Sequence, residues 1–407
     1  MIKIAKKIDC CGCEACKSIC PKKCIIMKAD TEGFTYPFVN KKECIDCHLC
    51  EKICPILNRM ERNKVINAVA FQHSNTEIRL GSASGGAFSA IAEYVLERNG
   101  VVYGAVFSKT WEIEHTRIES AENLYKIRGS KYVQSKIGNT YCQCKKDLQG
   151  NRIVCFSGTP CQIEGLLNYL GDKFENLITI DLVCHGVPSP KVWSIYLADI
   201  EKKENAAIAG YSFRSKKTGY HDFGTEILLS NGKCIYTHDK GVEKDFMHLA
   251  FFNELCSRPS CHDCAFKTLE RRSDFTLFDL WHMSDFDAKY EDDKGTSAVF
   301  IHSLKGYKII RELAQKHTIV EIDYQKAMEL DGNNIEFSMI PNKRREEFFL
   351  DLDNLSIDEL KVKYFSNRRV VNQSVVIKKI FKKIGIFNST KKFVYTISKY
   401  RNRGRFK

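Results

Sequence analysis

The sequence predicts an α/β protein: an α+β ferredoxin-like module, then a body built on a mixed or parallel sheet, then a basic helical tail. Three observations carry that expectation. The cysteine run C-x2-C-x2-C-x3-C occurs twice within the first sixty residues. Short apolar strands then alternate with helical stretches closed by glycine, the pattern of parallel strands joined by covering helices. Beyond residue 360 every charged side chain is basic.

Cys10, Cys13, Cys16 and Cys20 stand at the first run, with Pro21 following, and Cys44, Cys47, Cys50 and Cys54 repeat it before Pro55. This is the bacterial ferredoxin spacing, in which the fourth cysteine of each run serves the other cluster. Three thiolates two residues apart can wrap one face of a 4Fe–4S cube, and proline after the fourth bends the chain away and removes an N–H donor. The spacing therefore predicts one cluster on Cys10, Cys13, Cys16 and Cys54 and another on Cys44, Cys47, Cys50 and Cys20. Zinc is the rival metal, but it normally takes its ligands as two separated pairs. Cys11 and Cys24 fall outside the spacing and read as bystanders.

A chain of 407 residues suggests two or three domains. The expected divisions are the two-cluster module at 1–60, a body in two parts at 61–150 and 151–330, a helical extension at 331–365 and a tail at 366–407. The start, MIKIAKKIDCC, has no apolar signal region, and no run of eighteen apolar residues predicts a spanning helix. Of the nineteen cysteines eight stand at ferredoxin ligand spacing, which points to a reducing cytoplasm rather than to disulfides. The net charge of +13 is concentrated: from Lys361 onward there are fifteen Lys and Arg and no Asp or Glu, leaving 48 basic against 50 acidic residues before it. That argues against nucleic acid binding by the core.

After a polar link, residues 66–71 (INAVAF) read as a strand. The small residues at 81–86 open a helix whose apolar positions Phe88, Ile91, Ala92, Val95 and Leu96 share a face, and Gly100 closes it. Strands follow at 101–107 and 112–118, then a short helix near 121–127, a helix near 139–149 and a buried strand entering FSGTPCQ. A helix ending at Gly171, a strand at 177 leading into VCHGVPSP, and a helix from Lys191 continue the alternation. Residues 226–237 form a hairpin around Asn231-Gly232. Strands at 273–281 and 297–302 flank an acidic loop, and helices are expected from there to about 365.

A second, irregular group of cysteines carries further chemistry. Cys161 and Cys184 each fall just past a predicted strand, so parallel neighbouring strands would bring both to one rim of the sheet, where α/β proteins bind ligands. Cys261 and Cys264 add two thiolates from a loop. Four thiolates could complete a third 4Fe–4S cluster; free buried cysteines are the alternative. Cys256 is the substitute ligand, Cys155 and Cys234 read as core, and Cys142 and Cys144 as uninvolved.

Ser84, Gly85 and Gly86 precede a helix and suit an anion, since glycine permits close backbone approach to the free N–H groups. Arg128, Ser130, Lys131 and Tyr132 in RGSKYVQS suit a phosphate or a reduced flavin anion, and Thr159 is a further candidate for cofactor binding. His185 could relay protons or merely brace its turn.

These stretches resemble the coenzyme F-420 hydrogenase/dehydrogenase beta subunit family. The resemblance spans roughly residues 1–320 and rests on the double cysteine run, SASGGAFSAIAEYVL, RGSKYVQS, FSGTPCQIEGL, DLVCHGVPSPKVW, FRSKKTGY, RPSCHDCAFK with the following SDFTL, and DDKGTS. It implies a flavin-binding body holding FAD and a 4Fe–4S cluster on Cys161, Cys184, Cys261 and Cys264. It implies an oxidoreductase that exchanges electrons between clusters and a hydride-carrying partner, through a flavin that interconverts single electrons and hydride. The partner would be a redox protein or a deazaflavin- or nicotinamide-type carrier. The alternative is an adapter subunit that wires a partner enzyme without turnover of its own. The chain departs from the pattern at LFDLWHM, where a glycine-flanked D-F-W segment is expected around Asp279 and Trp281.

The tail also bears on location. In residues 374–387, Ile377, Ile380, Phe381 and Ile384 form one helical stripe flanked by Lys378, Lys379, Lys382 and Lys383. Such a helix either packs its stripe on the protein or lies on an anionic membrane surface. The expected location is the cytoplasm, with peripheral membrane contact through this tail.

Overall fold

A computed structural model describes residues 1–171, 174–237 and 245–366. It divides into a unit from Met1 to Phe349 and a second from Leu350 onward. The tail at 367–407, with its amphipathic stripe, lies outside the described residues. Among the described residues no helix is long and apolar enough to cross a membrane.

The first unit opens with the cysteine-rich module. Helices α1 (Ala15–Ile19) and α2 (Leu49–Lys52) start at equivalent points of the two runs, and β1 (Ile25–Ala29) pairs antiparallel with β2 (Thr35–Val39). Both helices follow a residue in the left-handed region, Glu14 at φ 58° and His48 at φ 59°. Gly12 and Asp46, just before the second cysteine of each run, are left-handed as well. These reversals on either side of Cys13 and Cys47 coil each run tightly.

The body is an eight-stranded sheet. Its strands are β3 (Asn67–Gln72), β4 (Val101–Phe107), β5 (Ile113–Ile118), β6 (Val154–Ser157), β7 (Leu177–Leu182), β11 (Phe275–Asp279), β12 (Ser297–Ile301) and β13 (Thr318–Glu321). Their spatial order is β13-β3-β12-β11-β7-β6-β4-β5. The central strands β4, β6, β7 and β11 run parallel, and the remaining pairings are antiparallel. The fold is thus α/β with a mixed sheet. A separate antiparallel sheet holds β8 (Ile208–Ser215), β9 (Gly224–Leu229) and β10 (Cys234–Tyr236).

Helices cover both faces of the large sheet. On one side α4 (Ala87–Leu96) buries Ile91 and Val95 against Val69, Phe71, Val102 and Ile178, joined by α9 (Leu304–Leu313). On the other, α5 (Thr140–Gln149) and α6 (Pro160–Leu170) bury Tyr141, Ile163 and Leu166 against Tyr103, Val154 and Phe156. Each such side chain contributes about 1.5–3 kcal/mol by leaving water. The α6 boundaries follow from sequence: Thr159 and Gln162 form a capping box, Pro160 takes the first turn, and Gly171 ends the helix at φ 71°. The remaining helices among the described residues are α3 (Thr76–Leu80), α7 (Pro190–Glu204), α8 (Phe246–Phe252), α10 (Tyr324–Asp331), α11 (Arg345–Asp351) and α12 (Ile357–Phe365). In the second unit, Ser356 and Glu359 cap α12, and Tyr364 donates to Asp351 at 2.6 Å.

Three expectations are corrected. Residues 318–321 are strand β13, because a sheet edge beside β3 was available to a segment whose periodicity read as helical. Strand β8 and helix α8 went unread, since neither alternates cleanly. Cys234, read as core, is exposed, because β10 is the edge strand of the small sheet.

Candidate functional site

The two cysteine runs interleave. Burial and then its neighbours Cys10 and Cys54 push the Cys16 thiol up to about 12. Cys54 is raised by burial with Cys10 and Cys50 beside it, and Cys13 lies near Cys16 and Cys10. Cys10, Cys13, Cys16 and Cys54 therefore form one neighbourhood, drawn from both runs. Cys20, Cys44, Cys47 and Cys50 line a second, a cavity of about 350 Å³, together with Cys24, whose Sγ lies 3.4 Å from that of Cys20. Cys47 is exposed there while Cys50 is buried. Left-handed turns of the kind around Cys13 and Cys47 aim successive N–H groups into a concavity that suits anions, iron–sulfur clusters included.

The third neighbourhood is built by the sheet. Strands β6 and β7 pair in parallel, so the α6 N-terminus and the segment after β7 share one rim. Cys161 stands in the first turn of α6, Cys184 two residues past β7, and the 3-10 turn Pro259–Cys261 brings in Cys261 and Cys264. All four line one cavity, and Cys11 lines it with them. Burial, then Cys161, pushes the Cys184 thiol up to about 12; Cys261 is driven well up by burial and by Cys184, Cys264 and Cys161. Lys267 places its ammonium at this rim, donating to the Cys184 carbonyl at 2.5 Å, and burial lowers its pKa. Burial and mutual proximity keep these four free thiols protonated, whereas a cation-rich cluster would take them as thiolates. Among the described residues no three ligand-type side chains converge as around a single ion. A cube does not require that, because each thiolate binds a different iron corner.

Cys11 connects the neighbourhoods. Its thiol lies beside both Cys13 and Cys161. Its bystander reading came from spacing, which says nothing of what the residue touches across the fold. The module is clamped at this point by Arg258, which donates to the Cys10 carbonyl at 2.8 Å, Gln134 Oε1 at 2.9 Å and the Thr35 carbonyl at 3.1 Å. Glu14 accepts from the Ile137 and Gly138 N–H groups. Cys256 is buried outside this cavity, with its carbonyl bonded to Ser189.

The remaining candidates fall elsewhere. Thr159 is engaged in the α6 cap, its hydroxyl 3.1 Å from Cys161 Sγ. Ser84 donates to the Thr296 carbonyl, the Gly85 N–H to Ser297 Oγ, and a Cβ on Gly85 would stand 2.1 Å from the Phe71 carbonyl oxygen. That glycine is required by sheet packing. Gly86 is left-handed at φ 90° and begins α4. Lys131 gives its ammonium to the carbonyls of Lys126, Ile127, Arg128 and Gly129, and burial lowers its pKa to about 7. Ser130 is half-buried beside Tyr132. His185 pairs with Glu254 at 2.5 Å and lines the third cavity.

Sequence reasoning passed over one cluster. Arg214 at the end of β8 donates to Asp279 Oδ2 at 2.5 Å, and Tyr220 donates to Asp279 Oδ1 at 3.1 Å. The guanidinium carbon lies 4.4 Å from the Phe223 ring and 4.9 Å from Trp281. Among the described residues Arg214 Nε and Nη2 are buried without an acceptor, an arrangement that costs about 1–3 kcal/mol per group. Lys216 ties this cluster to the glycine loop through the carbonyls of Arg79, Ser84 and Lys294. FRSKKTGY, SASGG, DLW and DDKGTS thus meet at one place. The sequence held these segments but not their convergence.

Two family models match the chain in tandem. The coenzyme F420 hydrogenase/dehydrogenase beta subunit N-terminal model matches residues 68–140, and the C-terminal model of the same subunit matches 151–327. The chain belongs to the coenzyme F420 hydrogenase/dehydrogenase beta subunit family. As a member of that family it is an oxidoreductase of the electron-transfer kind. No curated protein matches it. Among solved structures, one chain from the F420-reducing NiFe hydrogenase complex of Methanosarcina barkeri, determined in a xenon derivatization study, is similar. It shares 17% identity over 67% of this chain and 90% of that one, with a TM-score of 0.45. The family matches start past the cysteine-rich module, and Cys161, Cys184, Cys261 and Cys264 of the third cavity and the Arg214 cluster lie within the matched segments.

Proposed function

We propose that the chain is an iron–sulfur flavoprotein oxidoreductase that passes electrons between three 4Fe–4S clusters and a two-electron carrier. The carrying observation is the third cavity: Cys161, Cys184, Cys261 and Cys264 come from three separate segments to one rim. Cys11 lies between this set and the Cys10, Cys13, Cys16 and Cys54 set. Electrons would enter at the exposed Cys47 neighbourhood, cross the first set and reach the third. Bound FAD would supply the interconversion of single electrons and hydride. The residues that would hold it are those around Ser84, Ser130 and Arg214, and the orphaned donors of Arg214 fit a group that presents acceptors. A redox partner protein or a deazaflavin- or nicotinamide-type carrier would complete the circuit. On this reading residues 1–60 form the input module and 61–330 the converting body.

An adapter subunit without flavin is the second reading. It draws on the glycine loop, whose Ser84 and Gly85 polar groups are already bonded within the protein.

The test is anaerobic purification with iron, sulfide and flavin analysis. Twelve thiolates in three sets imply about twelve irons, with one flavin. Cys47→Ser should lose about four irons and keep flavin, whereas Cys261→Ser should also disturb flavin reduction. About eight irons, with Cys161 and Cys184 freely alkylated, would remove the third cluster. Full clusters without flavin would establish the adapter.

A further inference from the structure

The Arg214 fork faces a problem that the protein alone does not solve. Arginine presents Nε–H and Nη2–H side by side, the edge that grips two adjacent acceptors. Here Asp279 takes only Nη1 and holds the guanidinium in place, itself steadied by Tyr220. Among the described residues the other edge is buried and has no acceptor. Buried donors of folded proteins are nearly always paired, so an orphaned pair on one edge calls for a partner from outside the chain.

The surroundings narrow that partner. Of the buried cations in this cluster, Arg79 is committed to Asp292 and the Gly295 carbonyl, and Lys216 to three carbonyls. Arg214 keeps the spare donors. Phe223 and Trp281 lie 4.4 and 4.9 Å from its guanidinium carbon, yet their centroids are only 6.0 Å apart, far less than those distances combined. Both rings therefore line the same side. Tyr220 stacks on Trp281 at 4.2 Å and extends the row. A tetrahedral phosphate has no use for a row of aromatic faces, whereas a flat conjugated ring does.

We infer that Arg214 recognises the ring of the bound flavin, gripping its N–C=O edge with Nε–H and Nη2–H beside the Tyr220–Trp281–Phe223 row. The inference rests on the flavin reading above and names the part of the site that holds the ring rather than the phosphates. Asp279 is then a positioning residue, fixing the direction of the fork. The departure at LFDLWHM falls on this row, since Asp279 and Trp281 belong to it.

The test separates ring from phosphate with two probes. The full chain, freed of flavin, is titrated with riboflavin, which has the ring and no phosphate, and with ADP, which has phosphates and no flavin ring. Arg214→Gln should weaken riboflavin roughly ten- to a hundredfold, the range for charge-assisted hydrogen bonds, and leave ADP unchanged. Arg214→Lys keeps the charge without the fork and should fall between. Circular dichroism checks that each variant is folded, and a purely structural arginine would weaken both probes together. Riboflavin affinity within about twofold of the parent, equal loss of both probes, or loss of ADP alone would each overturn the assignment. A parent chain that binds neither probe would overturn the flavin reading and this inference with it.

Discussion

Arg258 and Cys10 are 248 positions apart in sequence, yet the Arg258 Nε–H donates to the Cys10 carbonyl at 2.8 Å. The guanidinium is fully buried and also bonds Gln134 and Thr35. Gly12 accommodates it: a Cβ there would stand 2.4 Å from Gln134 Nε2 and 2.9 Å from Arg258 Nη1. One residue near the third cysteine set thus fixes the first run against the body, so the spacing between the two cysteine neighbourhoods is rigid. Arg258→Lys keeps the charge but cannot reach three acceptors in one plane. It should cost about 2–3 kcal/mol, since buried carbonyls are left unpaired. Thermal unfolding and limited proteolysis within the first sixty residues would read this; unchanged behaviour in both would show that the clamp is dispensable.

The glycine loop supplies a second expectation. A Cβ on Gly85 would stand 2.1 Å from the Phe71 oxygen and 2.4 Å from the Ser297 nitrogen, both backbone atoms of adjacent strands that cannot give way. Gly85→Ala should therefore destabilise the fold by at least the 1–3 kcal/mol typical of overpacking, lowering the melting temperature whether or not flavin is present. An unchanged melting temperature with loss of flavin would return this loop to the role of phosphate cradle.

Much of this architecture was legible because its causes are local. The two cysteine runs, the alternation of β4, α5, β6, α6 and β7, and the rim position of Cys161 and Cys184 all follow from spacing and period. What escaped depends on contacts across the chain. Cys11 looked idle because its partners are Cys13 and a residue 150 positions away. Gly85 looked like a ligand glycine because sequence shows its freedom but not the strands pressed against it. Lys131 looked like an anion receptor, yet its ammonium is taken by carbonyls of its own turn. Arg214 was invisible because its meaning lies in what Asp279 leaves unpaired.

Two buried histidines predict an acid limit to stability. His115 and His302 are each lowered to about 4, chiefly by burial, against an ordinary value of 6.5. Their protons bind the unfolded chain first, so stability is full above pH 6.5 and is lost as pH falls from there towards 4. Each should remove on the order of 1–2 kcal/mol between pH 7 and pH 5. His302→Gln should flatten the pH dependence of the unfolding midpoint even if it lowers the midpoint itself. A slope identical to that of the parent would show that His302 takes up its proton alike in the folded and unfolded chain.

Gly165 offers a test in which the usual sign is reversed. Replacing glycine by alanine inside a helix ordinarily stabilises it by about 1 kcal/mol. Gly165 lies in α6, where the chain would gain from that change in isolation. Here, however, a Cβ would stand 2.9 Å from Cys13 Cβ, 3.0 Å from Cys13 Sγ and 3.2 Å from the Tyr141 hydroxyl. Cys13 is anchored between the left-handed Gly12 and Glu14, and Glu14 is itself bonded to Ile137 and Gly138, so the run cannot shift as a unit. The added methyl must displace the sulfur. Gly165→Ala should therefore lose the propensity gain to overpacking of about 1–3 kcal/mol. If Cys13 is a ligand of the first cluster, iron should fall by about four per chain, one cube, while the set around Cys47 stays intact. A variant that melts higher and keeps its iron would mean that α6 and the first cysteine run are not in contact in solution.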